Sequence, residues 1–230
     1  VGRGSTGEKM VEQISNAERY RAERNQQVKE RRESIINTAQ ALFLEKGIVN
    51  TTMLDIAREA HISKVTLYRY FPSRDPIVFE VAVRMLGQIA ETATRNIPEN
   101  VTGVHGIRTA SLNMIREFDS LQDAFHYFWM FDHLYSREYP SEELAQWFKQ
   151  GMFQLFSQQY PTFRLETLND ETREEAVTLL NTVMSFLMRM AARGELMGVE
   201  QEVPLRKQIR NFESIIHHCF ESFMLEGIDE

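Results

Sequence analysis

The fold class predicted by the sequence is all-α, with a small amino-terminal three-helix domain and a larger helical body behind it. Three observations predict it. No period-2 run of β-branched residues is bounded by hairpin turns, whereas apolar residues recur at helical spacing almost throughout. Breakers at Gly47, Pro72, Pro98, Gly103, Gly106, Pro140, Pro161, Gly194, Gly198 and Gly227 cut the chain into roughly nine or ten helical stretches. No segment repeats at a fixed period and no low-complexity tract occurs, which argues for a compact bundle over a solenoid.

In chain order, residues 1–27 read as a polar arm or leader. Residues 1–9 precede Met10 and are expected to stay outside the fold. Residues 11–27 set Arg19, Arg21 and Arg24 among Glu12, Glu18 and Glu23, a pattern open to a helical arm or a mobile one. A first helix over residues 28–46 places Ile35, Ile36, Ala39, Leu42 and Phe43 on one face and ends at Gly47, where a helix would cap. Thr52 and Asp55 have capping-box spacing, so a second helix of about two turns starts near Met53 with Ile56, Ala57 and Ala60 inward. In the turn His61-Ile62-Ser63, Ile62 plugs the core and the Ser63 hydroxyl caps a third helix. That helix turns Leu67 and then Phe71 inward, with Lys64, Thr66, Tyr68 and Arg69 outward, and Pro72 ends it. Two short helices joined by such a turn and backed by a third make a helix-turn-helix. Its second helix offers donors on a surface slim enough for a DNA major groove.

The stretch from Thr51 to Asp75 resembles the TetR family of bacterial transcriptional regulators. The likeness is carried by Thr51-Thr52, Asp55-Ile56-Ala57, Ser63-Lys64, Leu67-Tyr68-Arg69-Tyr70-Phe71 and Pro72-Ser73-Arg74-Asp75, occurring together and in order. It covers roughly residues 30–80; farther on only the helical pattern and the length agree. The resemblance implies that Lys64, Thr66 and Tyr68 face DNA, with Thr52, Tyr70 and Arg74 near phosphates on either side of the groove. Thr52 sits at a helix amino terminus, where unpaired N–H groups attract phosphate, and is equally well placed as a plain cap. Tyr68 and Tyr70 are placed either to donate to phosphate or to lie against the supporting helix. Arg74 begins the next helix, where its charge opposes the dipole, so it needs a partner elsewhere, and phosphate is the favoured one. Two positions depart from the family pattern. His61 stands where glycine is usual at a positive-φ turn, a conformation histidine tolerates at roughly 1–2 kcal/mol. Val65 replaces a frequent glycine and either meets a thymine methyl or fills space.

The charge divides along the same boundary. The formal net charge is −7, but residues 1–75 hold 13 Lys+Arg against 10 Asp+Glu, and residues 76–230 hold 13 against 23. A domain of net +3 suits a polyanion, and a body of net −10 does not. The Arg-rich arm before residue 33 reads either as a solvated helix surface or as an arm reaching a neighbouring minor groove.

Residues 76–230 are expected to form the effector-binding and dimerisation domain that the resemblance implies, behind a DNA-binding domain over 28–75. Pro76 fits the first turn of a connecting helix, and Val78, Val81, Ala82 and Met85 continue a buried stripe along it; the resemblance makes it the helix that transmits the signal. Phe125, Phe128, Trp129, Asp132 and Tyr135, joined by Trp147, Met152, Phe153 and Phe156 and by Met184, Leu187 and Met188, either line an apolar cavity or fill a core. Asp132 on that aromatic face needs a donor or cationic ligand if buried, and exposure accounts for it equally. The last two helices are expected near 170–193 and 204–224. In the second, Ile209, Phe212, Ile216, Phe220 and Phe223, with Leu205, Ile215 and Cys219, make a stripe wider than one core contact requires, which self-association would cover.

With 43% hydrophobic and 26% charged residues and no apolar run of membrane-spanning length, no membrane crossing is expected. A single cysteine and no secretory signal make a reducing cytoplasm the simplest home. His126 with His133, and His217 with His218, lack metal spacing, so neither metal nor cofactor is expected. The expected function is a homodimeric, ligand-responsive repressor on a palindromic operator, released by a small apolar or aromatic effector. The alternatives are a DNA-bound structural or partner-binding protein without an inducer, and an all-helical enzyme or carrier, for which no nucleophile, base and orienter stand at meaningful spacing.

Overall fold

The computed structural model describes the backbone of residues 5–163, 169–192 and 204–226, and side chains over 18–152, 154–155, 169–192 and 204–218. The described residues form α1 (Ser5–Lys46), α2 (Met53–Glu59), α3 (Lys64–Tyr70), α4 (Arg74–Thr94), α5 (Gly103–Arg116), α6 (Phe118–Tyr135), α7 (Glu142–Phe163), α8 (Asp170–Ala191) and α9 (Leu205–Glu226), with no strand among them. The chain divides into two compact units, Val1–Ile77 and Val78–Glu230, and α4 runs through the division.

α1 corrects the expected first helix: it begins at Ser5, far ahead of position 28. Residues 5–46 contain no proline and only one glycine, Gly7, in the first turn, and the stretch is rich in Glu, Arg, Gln and Ala, all good helix formers. Residues 18–31 are exposed on every side, with Gln26 and Glu30 bonded at 2.9 Å across one turn. The inner half behaves as expected: Ile35, Ile36, Ala39 and Phe43 are fully buried. Gly47, at φ 81°, ends the helix by donating its N–H to the Phe43 carbonyl.

In the second unit Phe79 is the hub of an aromatic cluster. It meets Phe131, Tyr135 and Phe148 edge-on at centroid separations of 5.0, 4.9 and 5.4 Å, which ties α4 to α6 and α7. Gly151 of α7 stands where an added Cβ would come within 3.3 Å of Val83, so the small residue permits a close approach to α4. Asn113 of α5 donates to the carbonyls of Ala93 (2.9 Å) and Arg95 (3.1 Å) and so satisfies the end of α4. α9 docks on α5 and α6 through Arg116–Glu213 (2.9 Å), Arg206–Asp119 (3.2 Å) and Arg108–His217 (3.0 Å). These contacts are largely exposed and set register more than stability.

Tyr127 is fully buried, and its hydroxyl donates to the Val78 carbonyl at 2.8 Å. Burial, with Tyr135 nearby, pushes this phenol well above its ordinary value of 10.0, so it is neutral in the folded protein. Tyr127→Phe removes one hydrogen bond and is expected to cost about 1 kcal/mol. Tyr127→Ala opens a core cavity and should cost about 3–5 kcal/mol. Because the folded-state pKa is raised, this group's contribution is complete below about pH 10 and declines above it, where the unfolded chain's phenol ionises. Urea unfolding of wild type and Tyr127→Phe at pH 8 and above 10 checks both statements: the wild type should lose more stability than the variant on the alkaline side.

Candidate nucleic-acid interface and effector cavity

The turn between α2 and α3 is built as its residues require. Thr52, with β-region backbone, caps α2: its hydroxyl accepts the Asp55 N–H, and its own N–H and hydroxyl donate to Asp55 Oδ2 at 3.0 and 2.6 Å. The Thr52 hydroxyl and then its amide hold the Asp55 carboxyl below its usual value of 3.8, and the Arg58 guanidinium, 2.8 Å from Oδ1, adds to this. The cap therefore depends on an ionised Asp55, and its contribution is lost as pH falls below about 4. His61 adopts φ 52°, the left-handed conformation that the turn demands. Ser63 caps α3 by accepting the Thr66 N–H, and the Ser63 and Thr66 hydroxyls lie 2.9 Å apart.

The outward face of α3 carries Lys64, Val65, Tyr68 and Arg69, all exposed. Val65 is 81% exposed, so it does not fill space in the fold. The Lys64 ammonium lies 5.6 Å from the centre of the Tyr68 ring and the Arg69 guanidinium 5.8 Å from that of Tyr70. Thr66 and Tyr70 are half-buried and face a groove of about 1000 Å³ between α3 and α1, where Arg24, Arg31 and Arg69 gather with Glu30. Thr52 is exposed at the start of α2, but its hydroxyl and its N–H are both engaged with Asp55.

Arg74 is the correction on this face. Its Nη1 lies 2.9, 3.1 and 3.2 Å from the carbonyls of Ile48, Val49 and Thr51. Those three carbonyls fall in the non-helical loop before α2 and lack helical partners, so a guanidinium is better matched to them than to a phosphate beyond the surface. Thr51, fully buried, donates its hydroxyl to Gly47 O at 2.9 Å and completes the same loop.

In the second unit an apolar cavity of about 440 Å³ lies among α4 to α8. Of the residues expected to line it, Phe128, Asp132, Met152, Met184 and Met188 do so. Phe125 is buried and stacked on Phe118, and Tyr135 is buried against Phe79; neither lines the cavity. Trp129 stacks between His126 and His133, about 100° around α6 from Phe128, as consecutive helical residues must be. Trp147 is 41% exposed and away from the cavity, while the side chain of Phe156 lies outside the described residues. These departures share a cause: half of α6 is buried, so the aromatic positions on it serve several neighbours. Sequence reasoning missed Leu86, Ile89 and Ala93 of α4, Met114 of α5 and Phe131 of α6. The α4 set extends the stripe through Val81 and Met85 at helical spacing, a signal that was available.

The stripe on α9 also divides. Ile216 is buried within the single chain, and half-buried Ile209 lines a cleft with Ile115 and Phe118. Phe212 stacks on Phe186 of α8 at 3.8 Å. Ile215 and Val177 stay exposed, at 56% and 39%. The side chains of Phe220 and Phe223 lie outside the described residues. Among the described residues no cluster of three or more metal-ligating side chains occurs, and no described helix is long and apolar enough to cross a membrane.

A capped helix-turn-helix presenting exposed cationic and aromatic side chains defines a DNA-binding module. Residues 35–81 match the family model for bacterial regulatory proteins of the tetR family. Within residues 35–81 the chain therefore carries the helix-turn-helix module of that family. Among curated relatives, it is 40% identical over 77 residues to the HTH-type transcriptional regulator HbdR of Aromatoleum sp. (strain CIB), covering 34% of this chain and 32% of that one. It is 28% identical over 95 residues to the nucleoid occlusion factor SlmA of Haemophilus influenzae, covering 39% and 43%. The chain thus spans about a third to two fifths of the length of these relatives. Its fold is similar to a TetR-family transcriptional regulator from Streptomyces coelicolor (TM-score 0.57, 15% identity, 83% of this chain and 78% of the other). A second structure, from Haemophilus influenzae, is similar at TM-score 0.51 and 18% identity, over 83% and 94%.

Arg74→Ala is expected to lower the unfolding free energy of the amino-terminal unit by about 2 kcal/mol, since it strips a charged donor from backbone carbonyls. The slope of log affinity for DNA against log salt should stay as in wild type; a slope shallower by about one would instead return Arg74 to the phosphates.

Proposed function

We propose that this TetR-family regulator acts as a homodimer that places its two α3 helices in successive major grooves of a palindromic operator. It represses by excluding polymerase and leaves DNA when a small apolar or aromatic effector enters the second unit. The observation that supports this reading best is the outward face of α3. Lys64, Val65 and Tyr68 are exposed on a helix whose entry is already capped, and Val65 has no packing role in the chain. Lys64 supplies charge-assisted donation to base or phosphate, Tyr68 a hydroxyl donor, and Val65 a methyl surface for a thymine. The apolar cavity supports the effector, and exposed Val177 on α8 and Ile215 on α9, two helices joined by the Phe186–Phe212 stack, support a two-fold contact through those helices. No catalytic step is required, and the cytoplasm is the compartment where such a protein meets DNA.

A second reading, a DNA-bound partner-binding protein without an inducer, draws support from the likeness to a protein named a nucleoid occlusion factor. Thermal stabilisation by small molecules together with release of DNA favours the sensor; stabilisation by none of a broad panel favours the second reading.

In a salt-controlled titration against the DNA adjoining its own gene, the protein should show sequence preference, and its absence would sink the reading. Tyr68→Ala is expected to weaken binding by roughly tenfold, and Lys64→Ala to weaken it and make the salt slope shallower by about one if Lys64 meets a phosphate. Ile215→Asp, at a position exposed in the protomer, should yield a folded monomer by sedimentation, with operator affinity lost.

A further inference from the structure

The cavity in the second unit has two unlike ends. Its inner wall is formed by buried apolar side chains, among them Ile89, Met114, Phe128 and Phe148. Its outer lining consists of exposed residues, with Asp132 and Tyr139 on one side and Asn181 and Ser185 on the other. Asp132 is the only formally charged side chain lining it, and its carboxylate has no hydrogen-bond or ion-pair partner among the described residues. Asp132 is exposed at this position, so its carboxylate oxygens are open to an incoming donor.

We infer that the effector is an amphiphilic organic cation: an apolar chain or ring system occupies the inner wall, and a positively charged nitrogen sits at the mouth against Asp132 and the face of Tyr139. This rests on the effector-binding reading of the same cavity and narrows it to one charge class. An anionic head group would meet the Asp132 charge unopposed, and a neutral one would leave it unused. Because the carboxylate is solvent-exposed, the attraction is of surface strength, supplemented by the aromatic face, and amounts to a preference of roughly three- to tenfold.

The test uses three probes with one tail: decyltrimethylammonium, decanol and decanoate, each below its aggregation threshold, titrated calorimetrically into the full chain and into Asp132→Asn. The expected order is cation tighter than alcohol, and alcohol tighter than carboxylate, with the cation's advantage over the alcohol abolished in Asp132→Asn while the alcohol binds both proteins equally. Equal binding of all three to wild type, or tightest binding of decanoate, overturns the charge assignment and leaves the cavity as an apolar effector site. A cation preference that persists in Asp132→Asn also overturns it, by tracing the preference to the general field of the acidic body. Binding of none of the three defeats the cavity reading together with the inference. Because Asp132 is exposed, thermal melting of the variant should match wild type, which separates a loss of preference from a loss of fold.

Discussion

Burial of a few apolar side chains in the amino-terminal unit is the constraint on which the rest depends. α2 and α3 are seven residues each, well below the roughly 12–15 at which a helix in isolation becomes even marginal. They persist because Ile56, Leu67 and Phe71 are buried in the same core as Ile35, Ile36 and Phe43 of α1. Each such side chain contributes about 1.5–3 kcal/mol, against about 1 kcal/mol for a cap, so packing decides whether the two helices exist and the caps decide where they begin. With Leu67 as the inward anchor, Val65 and Arg69, two residues to either side of it, fall on the opposite face of α3 and stand exposed.

The larger unit uses the same apolar residue types for two ends. Around Phe79 the rings close on one another edge to face and leave no room. Next to it, where Phe131 and Phe148 also face the cavity, the methionines and small residues of α4, α5 and α8 stop short of filling the space. Methionine suits such a wall because its unbranched thioether chain adjusts to what enters. The difference between core and cavity is thus one of shape and residue size, not of polarity.

That difference limits what the sequence discloses. Helix starts were legible because they are local chemistry: Thr52 with Asp55, and Ser63 ahead of Lys64, each satisfy N–H groups three residues on. The left-handed turn at His61 was legible through the family pattern, and the structure has φ 52° there. The outer half of α1 was not, since a helix polar on every face carries no periodicity to read. The partner of Arg74 lies 23 to 26 positions away in a loop whose carbonyls converge only once the chain has turned. Trp129, Phe125 and Tyr135 share a helical neighbourhood with Phe128, yet which neighbour each meets depends on helices distant in sequence. Ile216 shows the same limit, as a stripe wide enough for two contacts does not say which of its residues goes to which.

The guanidinium of Arg74 joins the first turn of α4 to the loop that leads into α2, and through Thr51 that loop is fastened to the last turn of α1. Arg74, 23 to 26 positions away in sequence, is thereby tied to the stretch that joins α1 to α2. The same arginine that opens α4 therefore fixes where α2 begins, so the start of one helix is set by a side chain of another.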